Sequence, residues 1–317
     1  MSQVSQTNQT RQNLVVMPSP HIKDRATTSS VMLDALIALA PTVIASAVLF
    51  GPRTLLLTAV CAACCVGFEY LFCMVTKREN TIRDLSACVT GVILAMNLPA
   101  SFPIWMAVIG CFAAIVITKE LFGGIGQNFA NPALVGRIVL FVSFAKYMTD
   151  WNTSSGLVVA SATPLGMLAA GNAELPTYLQ LFLGLKGGVL GETCILTLLI
   201  GGIYLVWRKV ITPTIPLVYI GTVFVFCFLL GADPLYHILS GGLFLGAIFM
   251  ATDYTTSPVT EKGKVIFAVG CGLITVVIRL FGSYAEGVSF AILLMNIITP
   301  HIDNLTRQVP FGGVQKK

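Results

Sequence analysis

The chain has 317 residues, 56% of them hydrophobic and only 10% charged, with a formal net charge of +5. With a mean hydropathy of +0.85, that composition excludes a soluble protein of this size, because a water-facing surface needs more polar residues than the chain contains. No basic stripe interleaved with aromatics accompanies the positive charge, which argues against a nucleic-acid partner.

Residues 1–29 are polar and lack the short apolar region and small-residue cleavage site of a signal peptide, so they read as a cytoplasmic tail. A bilayer core about 30 Å thick needs roughly 20 mostly apolar residues per spanning helix. The sequence predicts ten such segments, at 30–50, 54–76, 84–98, 103–122, 132–148, 188–207, 214–231, 237–252, 264–281 and 286–300. Every backbone amide within the bilayer must be paired, and the runs lack the period-2 alternation of a membrane barrel. The expected fold is therefore an all-α integral membrane protein of about ten transmembrane helices.

The second segment holds Glu69, whose neighbours Gly67, Phe68, Tyr70, Leu71 and Phe72 are apolar or aromatic. A carboxylate at membrane depth needs a partner or a purpose, so Glu69 is expected to face the bundle interior. Protonated, ion-paired and cation-binding states are all open to it. The same segment carries Cys61, Cys64 and Cys65, with no His or second close Cys pair beside them. The other cysteines are scattered singly, as small hydrophobes are, so no metal site is expected. Gly123-Gly124-Ile125-Gly126 lacks the Lys and Ser/Thr of a phosphate cradle.

The third segment is short and ends Asn97-Leu98-Pro99; the eighth ends Thr252-Asp253-Tyr254-Thr255-Thr256-Ser257-Pro258. Proline stops a helix and leaves carbonyls unpaired, so these ends are either hydroxyl-capped termini or places where free carbonyls and Thr hydroxyls meet a ligand or ion. Glu120, next to Lys119, is expected to pair with a base at the interface, and Asp303 to sit at a solvated helix end. Asn131 and Arg137 open the fifth segment; one reading is a helix cap with a cytoplasmic anchor, the other a recognition role.

Basic residues stay on the side where they are synthesised. With ten spans and the N-terminus inside, only Arg53, Lys146, Lys186 and Arg279 of the 19 Lys and Arg fall outside. The same topology puts both termini in the cytoplasm and the weakly charged segment 149–187 on the outer face. Leu121-Phe122-Gly123 recurs as Leu280-Phe281-Gly282, an offset of 280 − 121 = 159, and Pro99 recurs as Pro258 at that offset. Two five-helix halves, residues 30–148 and 188–300, would thus be inverted repeats, with a C-terminal tail at 301–317. In such plans broken helices at matching positions point to a midplane site.

Asn131-Pro132-Ala133-Leu134-Val135-Gly136-Arg137, Ser161-Ala162-Thr163-Pro164-Leu165 and Met250 to Pro258, in that order, resemble the D subunits of Rnf electron-transport complexes over essentially the whole chain. The B subunit of the sodium-translocating NADH:quinone oxidoreductase is a near relative of that family. The resemblance implies an inner-membrane subunit, inactive alone, of a complex that oxidises reduced ferredoxin, reduces NAD and drives Na⁺ or H⁺ outward. It implies FMN esterified through its phosphate to Thr163, with Ser161 as the fallback acceptor, and a non-covalent riboflavin as in relatives. Leu157 and Ala160 stand where the family motif commonly carries an acidic residue and a Ser or Thr. Asn131, Arg137 and Thr255 become candidate flavin-binding residues, and Glu69, Asp253 and Asp303 candidate ion-coupling carboxylates. Implied partners are a second covalent-flavin subunit and iron–sulfur subunits, within membrane lipid. A passive channel without redox chemistry would fit the repeat equally well, and would carry no chromophore.

Overall fold

A computed structural model describes residues 26–151, 163–170, 175–192, 194–282 and 287–307. Among the described residues every regular element is helical. The chain begins with α1 (Thr28–Phe50) and α2 (Arg53–Thr76), then a 3-10 turn (Ile82–Asp84) and the short α3 (Ser86–Met96). Next come α4 (Ile104–Phe112), which runs on as a π-helix (Ala113–Glu120), α5 (Pro132–Ser143) and α6 (Ala145–Met148). Two short helices follow, α7 (Pro164–Ala169) and α8 (Tyr178–Leu183), then a 3-10 turn (Leu190–Glu192). The rest is α9 (Ile195–Trp207), α10 (Thr214–Leu229), α11 (Pro234–Leu239), α12 (Leu243–Leu245) continued by a π-helix (Gly246–Met250), α13 (Glu261–Phe281) and α14 (Val288–Thr306).

Each of the ten predicted segments holds helix, but they are not ten uninterrupted rods. By length and composition α1, α2, α13 and α14 can cross a bilayer, while α3, α5, α9 and α10 are shorter apolar helices. The predicted segment 237–252 is broken at Ser240-Gly241-Gly242, where Gly241 takes φ 70°, a conformation that costs other residues dearly. In segment 188–207 the α-helix begins at Ile195, and a 3-10 turn spans Leu190–Glu192 ahead of it.

Local chemistry sets the ends. Thr27 caps α1 with a capping box to Ser30, and Gly51 stops the helix at φ 96°. Asn131 caps α5 with Pro132 at the first turn, where a missing N–H costs nothing.

Close packing depends on small residues, as expected where lipid offers no hydrophobic drive between helices. A Cβ at Gly91 of α3 would lie 2.7 Å from the Ala62 Cα of α2, and one at Gly201 of α9 would collide with the Ala38 carbonyl of α1. The α1–α9 pair is also clasped by Asp34, which accepts from the Tyr204 hydroxyl at 2.8 Å and pairs with Arg208 at 3.1 Å. Elsewhere α5 meets α14, the Phe141 and Phe290 rings lying 6.0 Å apart, edge to face. Fully buried apolar residues, among them Leu94, Met96, Leu98, Leu134 and Met250, lie where α3 and the α12 continuation end and α5 begins. Outward the surface is equally apolar, with Val75, Trp207 and Val142 each more than two-thirds exposed, as a lipid-facing wall requires.

Candidate functional site

The segment that follows Met250, the start of α5 and the facing sides of α1 and α3 line a cavity of about 480 Å³. Its wall includes Asn128, Asn131, Asp253, Thr255 and Lys119 over an apolar floor with Phe249. A pocket of that volume with a few convergent polar groups is the usual form of a small-molecule or cofactor site.

Asn131 works in two directions. Its Oδ1 accepts from the amides of Ala133 and Leu134 at 3.0 and 3.4 Å, while its Nδ2 donates to the Met250 carbonyl at 3.3 Å. That carbonyl is one that the ending helix leaves without a helical partner, so Asn131 ties the start of α5 to the end of the α12 continuation. Beyond Met250, Asp253 folds its own turn: Oδ2 accepts from the Thr256 hydroxyl at 3.1 Å, and its carbonyl accepts from the Ser257 amide at 3.0 Å. Thr255, half-buried, completes that edge of the wall.

Behind Lys119 lies a buried charged cluster. The Lys119 ammonium donates to Glu69 Oε2 at 2.9 Å and to the Ser86 hydroxyl at 2.7 Å, and stands 3.7 Å from Glu120 Oε1. The other Glu69 oxygen accepts from the Thr81 hydroxyl, and the Ser86 hydroxyl donates to Asp84 Oδ1 at 2.6 Å. Glu69 is fully buried and Glu120 is 2% exposed. Glu69 faces the interior as predicted, and of the states open to it the structure shows the ion-paired one. Glu120 does have Lys119 within ion-pairing distance, but it is buried, and the lysine's hydrogen bonds go to Glu69 and Ser86.

Arg137 requires a correction. It is not an anchor at the membrane surface: it is 5% exposed, donates to Asn97 Oδ1 at 2.8 Å and lies 3.9 Å from Glu192 Oε1. Six residues past Asn131 along α5, its side chain has entered the protein centre, where a guanidinium is tolerated only with such partners. Lys119 is buried too. Asp303 is likewise not merely solvated, since Oδ1 accepts from the Val259 amide at 3.1 Å and ties α14 to the segment after Pro258. Glu192 and Ser86 escape sequence reasoning, because single polar residues near helix ends carry no signal until their partners are known.

Thr163 lies apart from the cavity. It caps α7, with Oγ1 accepting from the Gly166 amide at 3.1 Å, and it is 8% exposed. Its geometry is thus that of a helix start; an ester oxygen would keep a lone pair for the same amide, so the cap is compatible with a phosphoester. The Pro164 carbonyl accepts from the Tyr236 hydroxyl of α11 at 3.4 Å, and Leu165 abuts Gly241, which docks α7 on the helix break. Nearby, Tyr178 of α8 donates to Asp233, and that hydrogen bond raises the Tyr178 pKa above the usual tyrosine value. Ser161, with Leu157 and Ala160, lies outside the described residues. The structure therefore gathers Asn131, Asp253 and Thr255 at one cavity, reaches Glu69 through Lys119, and leaves Thr163, Arg137 and Asp303 elsewhere.

Residues 15–312 match the model of the NQR2, RnfD, RnfE family. The chain is 46% identical to the D subunit of the Na(+)-translocating ferredoxin:NAD(+) oxidoreductase complex of Acetobacterium woodii, covering 96% of this chain and 97% of the relative. It is 42% identical to the D subunit of the proton-translocating ferredoxin:NAD(+) oxidoreductase complex of Clostridium ljungdahlii, over 94% and 96%. With the D subunit of the ion-translocating oxidoreductase complex of Ectopseudomonas mendocina it shares 35% identity, over 93% and 94%. A family model that spans nearly the whole chain, on a helical membrane fold, places this protein in the NQR2, RnfD, RnfE family.

Proposed function

We propose that the chain is the D subunit of a membrane complex that couples electron transfer from reduced ferredoxin to NAD with outward translocation of Na⁺ or H⁺. In this reading one flavin, FMN, is esterified to Thr163, and a second, non-covalent riboflavin occupies the cavity. The observation that carries it is the cavity itself: residues of two widely separated motifs, Asn131 from one and Asp253 and Thr255 from the other, line one pocket of about 480 Å³. Amide and hydroxyl groups above an apolar floor suit a planar heteroaromatic ring with polar edges. When bound, a flavin supplies one-electron exchange with its neighbours.

The chain's own residues hold and insulate. Asn131 fixes the cavity's mouth by joining α5 to the Met250 carbonyl, and Thr255 offers a hydroxyl to the occupant's edge. Covalent attachment at Thr163 would keep its cofactor at high effective concentration on an outward-facing segment. The contact between α1 and α9 supports the inverted-repeat plan, because residues 159 on from α1 fall in α9, and those 159 on from α5 fall in α14. Both termini are assigned to the cytoplasm. Each charge moved costs about 2.3 kcal/mol per 100 mV, which one subunit cannot supply, so a second covalent-flavin subunit and iron–sulfur subunits are obligatory partners.

The test is flavin accounting on the purified complex. Acid extraction should release one flavin from this subunit, and the denatured subunit should still fluoresce on a gel. A colourless subunit would leave the channel interpretation standing instead.

A further inference from the structure

Lys119 belongs to two places at once. It lines the cavity, and its ammonium is the cation of the buried Glu69–Glu120 cluster, although the residue is only 3% exposed. The cluster holds two carboxylates against that one ammonium, and they are not equally served. Glu69 takes the charge-assisted bond at 2.9 Å, whereas Glu120 Oε1 waits at 3.7 Å and, though buried, has no hydrogen-bond partner. An oxygen left in that condition is costly, and it is tolerated where a proton or cation is to arrive.

The surroundings fit that role. The π-helix Ala113–Glu120 ends at the cluster and buries Thr118, Lys119 and Glu120 in succession, an arrangement that an ordinary helical stripe does not give. Arg78 spends its guanidinium on the Glu120 carbonyl at 3.2 Å, and Asp84 is engaged by Ser86. Asp253 also lines the cavity, bonded to Thr256. The Glu69, Glu120, Ser86 and Thr81 oxygens are hard donors of the kind that suit Na⁺ or a proton.

We infer that Lys119 is a positioning residue that exchanges one cation for another: its ammonium leaves the Glu69–Glu120 pair for an anionic occupant of the cavity, and the pair takes up one Na⁺ or H⁺ in its place. Lys119 keeps its proton throughout. One electron delivered to the cavity by a donor within the complex is balanced by one cation at the carboxylates; when the electron leaves, the ammonium returns and expels the cation. A long flexible stem with a compact charge suits such a switch. The inference rests on a flavin in the cavity, as proposed above.

The experiment reduces the purified complex electrochemically in detergent, with pH and Na⁺ electrodes reading cation uptake per electron. The wild-type complex should take up about one cation per electron through this subunit, and the electrode that responds identifies the ion. Lys119→Met should lower that component at least fivefold, because the carboxylates would hold a permanent cation, while Lys119→Arg stays within twofold of wild type. Equal uptake in Lys119→Met and wild type would overturn the inference. Should Lys119→Met fail to assemble, the double variant Glu69→Gln, Glu120→Gln carries the test: it keeps the shape but leaves no carboxylate to take the cation, and undiminished uptake in it overturns the inference equally. Acid extraction of the same wild-type sample reports separately on the cavity, since no released flavin would overturn the proposed function beneath it.

Discussion

Replacing Glu69 with Gln isolates the charge in the buried cluster. The amide oxygen can still accept from Thr81, but the 2.9 Å charge-assisted bond to Lys119 is lost. Breaking a buried ion pair by removing one partner costs about 3–5 kcal/mol. Here the ammonium still has Ser86 at 2.7 Å and Glu120 at 3.7 Å, so a movement of about an ångström gives it a second carboxylate. A charged hydrogen bond contributes about 1.5–3 kcal/mol, which leaves a net cost of about 1–3 kcal/mol for Glu69→Gln. Glu120→Gln alone should cost little, because its Oε1 makes no hydrogen bond. The double variant strands the lysine and should lose the full cost of about 3–5 kcal/mol, more than the single losses combined. Thermal stability of the purified complex in detergent, followed by size-exclusion chromatography after heating, gives the order directly. Equal losses for the two single variants, or simple additivity in the double, would refute the assigned partners.

The remaining expectations concern packing, cofactor and ions. Gly201→Ala gains about 1 kcal/mol of helix propensity, but its methyl meets the Ala38 backbone, and overpacking of about 1–3 kcal/mol should win; Gly67→Ala, with nothing within 4 Å, should stabilise, and a melting comparison of the two decides. Asn131→Ala and Thr255→Val should lower the acid-extractable flavin severalfold while in-gel fluorescence of the subunit persists; parallel loss of both signals would contradict separate sites. Asp253→Ala should weaken the ion dependence of turnover with FMN still attached, and an unchanged dependence would remove Asp253 from the ion path.

How much the sequence can tell follows from which signals are local. Apolar runs write themselves into composition, so helix appears in each predicted segment, and the polar stretches that run to Pro99 and Pro258 follow real helix ends at Met96 and Met250. The break at Ser240-Gly241-Gly242 is visible as a small-residue triplet but lies within an apolar run long enough to hide it. Burial of Lys119 and Arg137 is illegible, because charge bias sorts residues by chain position, while their fate is set by Glu69, far along the chain, and by Asn97 and Glu192. The cavity is half legible: motifs pick out Asn131 and Thr255, yet only the fold joins them, and Lys119, which links cavity to carboxylates, reads in the sequence as an interfacial partner of Glu120.

The covalent flavin is tested most directly by the intact mass of the proteolytic peptide containing Thr163, taken from the complex made together with its flavin-attaching enzyme. The account predicts an FMN-sized increase that fragments to Thr163 and is absent in Thr163→Ala; an unmodified peptide from a fully assembled complex would contradict it.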